Sequence, residues 1–242
     1  SNSAHHYLLL LSDSALPLGS FAFSSGLESY KTHTHSNTGG SSSSFHAFLP
    51  LSLSSYASTT LPFVLAAHRH SSTASVASLD DLYDAAVICT VGRRASVAQG
   101  RALLGVWDKS FMGAVPAESH RVISGLKSLT TTKPAPTSTS TSAHLAPLFG
   151  AICDLLGLSC RQAAYVFMLS HVKALVSAGV RAAMMGPYVA QRILASREVQ
   201  DMIAAMIDRE WETRVEEAGQ SVPVMDLWIG RHEMLYSRIF NS

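Results

Sequence analysis

Histidine is the residue type in this chain best suited to binding a transition metal. Eleven histidines occur, including the clusters His5-His6, His33-Thr34-His35 and His68-Arg69-His70. Neutral imidazole binds nickel, zinc and copper. No cluster has the i, i+4 spacing that places two rings on one helix face, and His232-Glu233 lacks the second histidine of an HExxH motif. We expect solvated surface histidines, with a weak and transient nickel contact as the alternative.

Nucleophilic and phosphate-binding chemistry requires motifs that this sequence lacks. It contains neither a GxxxxGK[ST] phosphate loop nor a GxSxG nucleophile elbow. Ser24 and Ser25 lie in a Ser-rich segment, but no motif orients a base towards either hydroxyl, which favours a helix cap. The residues therefore give no support for a hydrolase or a nucleotide-splitting enzyme.

Methionines and a short polar stripe occur in the second half of the chain. The methionines follow helical spacing, which favours core packing over a path for soft metal ions. Lys173, Ser177 and Arg181 lie at i, i+4 and i+8, so they form one polar stripe on an otherwise apolar helix. The stripe either faces solvent or supplies charges that pair across a subunit contact.

The C-terminal segment, at about residues 223–242, mixes aromatic residues, aliphatic residues and arginine. These types are favoured where a few side chains supply most of the binding energy. A terminal segment frays unless it docks. The segment is therefore interpreted either as a partner-binding tail or as a last helix that folds back on its own domain.

Helical periodicity runs through nearly the whole chain, and no long stretch of strict alternation predicts a strand. We predict an all-α fold, a single-domain multi-helix bundle over residues 1–242 with a long central helix. That helix begins at a capping box of Ser159 and Gln162 and runs to Gly186-Pro187. Another capped helix begins near Ser196.

Three shorter helices are predicted before the central helix. Ser78 is the expected N-terminal cap of the first, and Gly92 its expected end. The second runs from about Ser96 through Trp107, and the third begins at Pro116. Two low-complexity stretches, at about 34–44 and 130–142, cannot bury enough apolar area to offset chain entropy, so flexible loops are predicted there.

The composition of the chain limits the kinds of partner that the protein can be expected to bind. Lys plus Arg is 18 and Asp plus Glu is 17, and a net charge of +1 creates no general field for nucleic acid or an anionic membrane. Charged Asp154, Lys173 and Arg181 interrupt the apolar stretch 145–190, so no membrane span is predicted. Mean hydropathy is +0.19, which favours burial against another chain. Three cysteines without a CxxC pair favour a reducing compartment.

Three separated motifs carry a resemblance to a known family. The first is Leu11-Ser12-Asp13-Ser14-Ala15-Leu16-Pro17 with Gly19, Phe21 and Ser24-Ser25-Gly26-Leu27-Glu28. The second runs from Leu175 to Arg192, and the third from Arg231 to Phe240. In this order they resemble the signatures of the urease accessory protein F family. Ser20 and Phe23 depart from the glycine and histidine usual in that family.

The resemblance implies an all-helical, dimeric, cytoplasmic scaffold that performs no chemistry and holds no stable cofactor, with nickel handled in transit. It implies binding to the D-type accessory protein, called H in some organisms, and through it to the G-type GTPase. The assembly then acts on apo-urease. Regulation of GTP hydrolysis and direct nickel binding are the alternatives.

The positions that match the family's functional segments are the predicted partner-binding residues. In the tail they are Arg231, His232, Glu233, Tyr236, Arg238 and Phe240. Glu28 matches the acidic residue of the first motif, and Lys173 and Arg181 fall in the central helix. No catalytic and no metal-binding residue is implied.

Overall fold

Within the described residues, eleven α-helices make up most of the chain and no strand occurs. The computed structural model describes residues 2–34, 41–131 and 141–241. This confirms the prediction of an all-α fold. The helices are α1 (Asn2–Ser12), α2 (Leu27–Thr34), α3 (Ser41–Arg69), α4 (Thr73–Ala86), α5 (Thr90–Val106), α6 (Ala117–Thr131), α7 (Leu145–Leu155), α8 (Cys160–Arg181), α9 (Pro187–Ala195), α10 (Arg197–Glu210) and α11 (Val224–Arg231).

The longest helix is α3, with 29 residues, although the sequence placed the long central helix at α8, which has 22. Two prolines, Pro50 and Pro62, lie inside α3. Proline has no N–H, so the carbonyl four residues earlier loses its helical donor. At Ser58 the lost donor is replaced, because the backbone N–H of Gly219 donates to that carbonyl at 3.1 Å. The C-terminal part of the chain thereby docks on α3.

The core is built around α7, which packs against α3, α5 and α8. Every residue from Leu145 to Cys153 is buried. Gly150 permits the close approach of α3, because a Cβ at this position would lie 2.2 Å from the carbonyl oxygen of Val64. Only a residue without a side chain fits so near a neighbouring backbone.

The starts of α8 and α10 agree with the sequence, but the end of α8 does not. The capping box of Ser159 and Gln162 is present, and the Ser196 hydroxyl caps α10, as predicted. The end of α8 differs: the helix stops at Arg181, before the expected Gly186-Pro187. Ala183 takes a left-handed conformation (φ 54°), and Met184 N donates to the carbonyl of Gly179. This pair of features is a Schellman motif formed without glycine.

The shorter helices begin and end elsewhere than predicted. Helix α4 is capped by Ser72, whose hydroxyl accepts from Ser75 N at 3.2 Å, so Ser78 is interior to it. It ends at Ala86, and Gly92 lies inside α5, which begins before Ser96. The α6 prediction is close, because that helix begins one residue after Pro116.

The two predicted flexible loops fall partly outside the described residues, at 35–40 and 132–140. Ser41–Ser44 is helical, which corrects the first prediction: this serine run forms the first turn of α3, ahead of buried Phe45. At the end of the second predicted loop, the buried carboxylate of Asp80 accepts hydrogen bonds from the backbone N–H groups of Ser142, Ala143 and His144 at 2.6–3.0 Å. Asp80 thus fixes the entry into α7.

In the described part of the chain, only α8 is long and apolar enough to cross a membrane by length and composition. Of its most apolar 18-residue window, 61% is buried inside the protein. A core helix meets the same criterion, and the packing of α8 against α1, α3, α7 and α10 is that of a core helix.

Candidate functional site

A tight turn brings the first sequence motif beneath the C-terminal segment. Ser25 and Gly26 both have positive φ, at 51° and 85°, and they lead into α2. A Cβ on Gly26 would lie 3.1 Å from Ile229 Cγ1 and 3.2 Å from Ile229 N. Glycine here therefore allows α11 to lie directly on the start of α2. The Trp228 ring also packs edge-to-face against the Tyr30 ring of α2, with 4.7 Å between the two ring centres.

The Glu28 carboxylate is the centre of the site. It lies in the first turn of α2 and is only 7% exposed. Nε2 of fully buried His232 donates to its Oε2 at 2.8 Å. The backbone N–H of Ile239 donates to Oε1 at 2.7 Å, and that of Phe240 to Oε2 at 3.3 Å. One buried carboxylate thus satisfies three donors from the tail, and bonds to an ionised acceptor are among the stronger hydrogen bonds.

Arg181, at the end of α8, holds the tail from a second side. Its guanidinium lies 4.4 Å from the centre of the Phe240 ring, a cation–π contact, and also donates to the carbonyl of Phe21. The N–H of Asn241 donates to the carbonyl of Ala22 at 2.8 Å. The end of the described tail is therefore docked on its own chain.

The segment between these attachments, Glu233–Arg238, is named here the C-terminal loop. Met234 is 80% exposed and Tyr236 is completely exposed. Arg238 is exposed as well, as is Arg231 just before the loop. Glu233 forms an ion pair with Arg94 of α5. The loop consequently presents apolar and basic side chains to solvent while both of its ends are fixed.

The structure places the nine predicted partner-binding residues in four different settings. Glu28, His232 and Phe240 are buried in contacts within the chain. Four exposed members lie on or beside the C-terminal loop: Arg231, Glu233, Tyr236 and Arg238. Arg181 borders this site through Phe240. Lys173 does not join it, because its ammonium donates to the carbonyl of Ser12 at the end of α1. The role of all nine in partner binding stays a prediction.

Sequence reasoning missed Arg94, the partner of Glu233. The two residues are 139 positions apart in the chain, and no local spacing signals their contact. It also missed the left-handed turn at Ser25-Gly26, although glycine followed by a helix is the signal that would have identified it. The ion pair of Arg94 with Glu233 and the turn at Ser25-Gly26 both hold the C-terminal segment in place. Neither adds to the surface that the C-terminal loop exposes.

A cavity of about 410 Å³ lies beside the tail. Its walls include Phe23 and Ser25 before α2, Tyr56 on α3 and Ile229 on α11. His171 of α8 also lines it, with the Tyr56 ring stacked at 3.9 Å. The cavity thus shares the turn and α11 with the tail site.

Ser52 and His171 form a buried pair on the cavity wall, with 3.0 Å between Oγ and Nε2. Burial lowers the pKa of His171 to about 3, so this imidazole is a weak base. Ser52 lies in the interior of α3, where neighbouring backbone N–H groups are engaged in the helix and do not form an oxyanion hole. The pair is therefore assigned a structural role.

Metal-binding side chains do not converge in the part of the chain that the structure describes. Within residues 2–34, 41–131 and 141–241, no group of three or more His, Cys, Asp or Glu side chains is placed to hold an ion. His35, in one of the sequence clusters, lies outside these ranges.

Fold and site define an all-helical protein that docks its C-terminal segment on its own first motif and leaves a loop exposed. The UreF family model matches residues 40–198. The "Uncharacterized urease accessory protein UreF-like" of Schizosaccharomyces pombe is 34% identical over 250 residues, covering 100% of this chain and 99% of the relative. "Urease accessory protein F" of Oryza sativa subsp. indica is 33% identical over 231 residues (95% and 82%).

A bacterial relative, "Urease accessory protein UreF" of Paenarthrobacter aurescens, is 30% identical over 246 residues, covering 99% of this chain and 100% of the relative. The chain belongs to the urease accessory protein F family. Membership supports a role in urease maturation.

Proposed function

We propose that this protein is a non-catalytic scaffold for urease maturation. In this proposal it binds the D-type accessory protein, also called H, and through it the G-type GTPase, and the complex delivers nickel to apo-urease as its cargo. The exposed C-terminal loop is the observation that carries the proposal. Met234 and Tyr236 are large apolar side chains left in solvent on a segment whose two ends are docked. Such a surface is typical of a protein interface.

The experiment that tests the scaffold is size-exclusion chromatography with light scattering, using this chain and its D-type partner. The intact chain is compared with one that ends after Gly230. We expect a stable complex with the intact chain and its loss on truncation. A complex that survives truncation would reject the tail as the recognition element.

A point variant separates recognition from the general effect of truncation. Tyr236→Ala removes one completely exposed ring, and Tyr188→Ala removes another tyrosine, 87% exposed, at the start of α9. We expect Tyr236→Ala to weaken partner binding by roughly tenfold or more, while the matched Tyr188→Ala variant binds like the wild type. Equal affinities for all three chains would count against the loop.

Regulation of the G-type GTPase is a second candidate, and the exposed arginines favour it. Arginine stabilises the charge that develops during phosphoryl transfer, and Arg231 and Arg238 are both exposed. Single-turnover GTP hydrolysis with and without this chain distinguishes a regulator from a passive scaffold. A role for Lys173 is rejected if Lys173→Ala changes neither the GTPase rate nor urease activation.

Direct nickel binding by the isolated chain is the third candidate, and nickel titration calorimetry tests it. The absence of stoichiometric heat would reject it. The proposal places the protein in the cytoplasm, as a homodimer, and the free thiols of Cys89, Cys153 and Cys160 support a reducing compartment.

A further inference from the structure

We infer that the cavity of about 410 Å³ beside α3 is a binding site for a small uncharged molecule that combines a ring with hydroxyl or amide groups. This inference goes beyond the proposed scaffold function, which assigns no small-molecule ligand. The residues that carry it lie on α3, α4, α5 and α8, so it does not rest on the attachments of the C-terminal loop.

Helix α3 presents a row of hydroxyl groups to the cavity. The row follows the spacing i, i+3, i+4, i+7 and i+8 on one helix face, and it consists of Ser52, Ser55, Tyr56, Thr59 and Thr60. The face that a helix turns towards the inside of a bundle is normally apolar. The sequence therefore places polar groups where core packing alone would favour apolar ones.

Two hydroxyl groups of this row have no partner within the described part of the chain. The side chains of Ser55 and Tyr56 form no hydrogen bond with another described residue, although Ser55 is only 5% exposed. Thr59 and Thr60 donate to carbonyl groups of α3 itself, so their oxygens remain acceptors. A buried polar group without a partner is unfavourable. A molecule in the cavity that bonds to these hydroxyl groups removes that cost.

The walls of the cavity favour an uncharged occupant. Burial raises the pKa of Tyr56 well above its ordinary value, raises the pKa of Tyr83 to about 12 and lowers the pKa of His171 to about 3. These three side chains are therefore neutral at pH 7. Among the described residues that line the cavity there is no lysine or arginine, and Asp226 is the one carboxylate. A charged molecule would lose its hydration here without sufficient compensation.

The size, the apolar walls and the entrance of the cavity indicate a molecule with a ring. Small-molecule sites have volumes of roughly 300–1,000 Å³, and this cavity lies within that range. Phe167 of α8 and Leu145 of α7 supply apolar wall area opposite the hydroxyl groups. Ile88, between α4 and α5, lines the cavity and is 85% exposed, so the cavity reaches the surface there.

Three molecules that share one ring but differ in charge test the chemical class. Benzamide is neutral, benzoate is an anion, and benzylamine is a cation at neutral pH. Saturation-transfer NMR detects their binding to the full chain, and calorimetry measures the affinity. We expect benzamide to bind with a dissociation constant of about 1 mM, as is usual for so small a ligand. The two charged molecules should bind at least about tenfold more weakly.

Two glycine variants of α5 locate the binding site. Gly92 lines the cavity, and a Cβ at this position meets only the Cβ of Cys89, at 3.8 Å. Gly92→Leu therefore fills the cavity, and leucine favours the helix more than glycine does. Gly105→Leu is the matched control, because Gly105 lies in the same helix, has no atom within 4 Å of its Cβ and does not line the cavity. We expect benzamide binding to be lost in Gly92→Leu and retained in Gly105→Leu.

A third variant tests the row of hydroxyl groups. Tyr56→Phe removes a hydroxyl group without a described partner and retains the ring that stacks on His171. We expect it to weaken benzamide binding about fivefold, with no decrease in the thermal midpoint of the free chain. If Gly92→Leu does not fold, Tyr56→Phe and the three molecules still decide the question.

Four results would overturn the inference. If benzamide does not bind at about 10 mM, the cavity has no affinity for this class of molecule. Equal binding of benzoate or benzylamine would contradict the preference for an uncharged ligand. Undiminished binding to Gly92→Leu would place benzamide elsewhere on the protein. Undiminished binding to Tyr56→Phe would show that the hydroxyl row does not recognise it.

Discussion

The buried imidazole of His171 makes the stability of the protein depend on pH. It lies against Ser52 and Tyr56, and burial lowers its pKa from 6.5 to about 3. As the pH falls below about 6.5 the unfolded chain binds a proton at this residue first, so unfolding is favoured. We predict that His171 reduces the free energy of unfolding by up to about 1.4 kcal/mol per pH unit between about pH 6 and pH 4.

Urea unfolding of the wild type and of His171→Gln at several pH values measures this effect. The amide retains a hydrogen-bonding group for Ser52 but does not titrate. The stability of the wild type relative to the variant should therefore decrease as the pH falls. Parallel pH profiles for the two chains would contradict a buried, neutral imidazole.

Asp80 is predicted to contribute strongly to the stability of the fold. Asp80→Ala removes the acceptor for Ser142, Ala143 and His144 and leaves three backbone donors without it. We expect a loss of about 3 kcal/mol or more, because each unsatisfied buried donor costs about 1–3 kcal/mol. The change in the urea midpoint of unfolding measures it.

The neighbouring Asp81 supplies the control for this prediction. Burial, together with the charges of Asp80 and Asp84, raises the pKa of Asp81. Its ionised form is therefore disfavoured in the folded chain, and Asp81→Asn should cost no stability. A similar loss in both variants would mean that the helix, rather than the Asp80 contacts, is sensitive to substitution.

At the scale of the helices, the contact between α3 and α7 depends on Gly150. Gly150→Ala places a methyl group 2.2 Å from a backbone oxygen of Val64, so α3 or α7 has to move. We predict destabilisation of about 2–4 kcal/mol. Gly105→Ala is the matched control, because its methyl group meets no atom within 4 Å and alanine favours the helix by about 1 kcal/mol.

Thermal or urea unfolding of the two glycine variants gives the answer directly. The variants should change stability in opposite directions, although both replace a helical glycine with alanine. A gain of stability in Gly150→Ala would show that α3 and α7 are less closely packed than described.

The starts of α8 and α10 were predictable because a cap is a local feature of three or four residues, whereas α4 and α5 begin about six residues earlier than predicted. The Ser159 and Ser196 caps are recognised from side chains next to the helix they begin. The helical form of α3 was not recognised, because its serines, threonines and two prolines are poor helix formers. Packing of buried residues such as Phe48 and Leu53 stabilises α3 instead. The early end of α8 depends on Ala183 adopting a conformation usual for glycine.

At the scale of the whole molecule, exposed apolar side chains favour self-association. They occur on several helices, including Leu9 and Leu10 of α1 and Leu82 of α4. We predict a homodimer, with a mass about twice the 25.9 kDa of one chain. Light scattering across a dilution series measures this mass. A mass of one chain at every concentration would contradict the prediction.

The arrangement of the candidate site was not predictable from the sequence, and the partner-binding role of its residues stays a prediction. Glu28 and His232 were both predicted to bind partners from the resemblance to the family, and they contact each other across 204 positions. Periodicity and capping describe neighbours in the chain, so they carry no information on such a pair. The structure shows that Glu28 and His232 face inward and that Tyr236 and Arg238 face outward.

The three hydrogen bonds to Asp80 also have a consequence for engineering. They fix the chain at Ser142–His144, while α6 packs against α4 on the other side of residues 132–140. Residues can be added between two fixed points at small entropic cost, about 0.6 kcal/mol for each doubling of length. We therefore predict that a reporter domain inserted within residues 132–140 leaves the helices and the C-terminal loop in place.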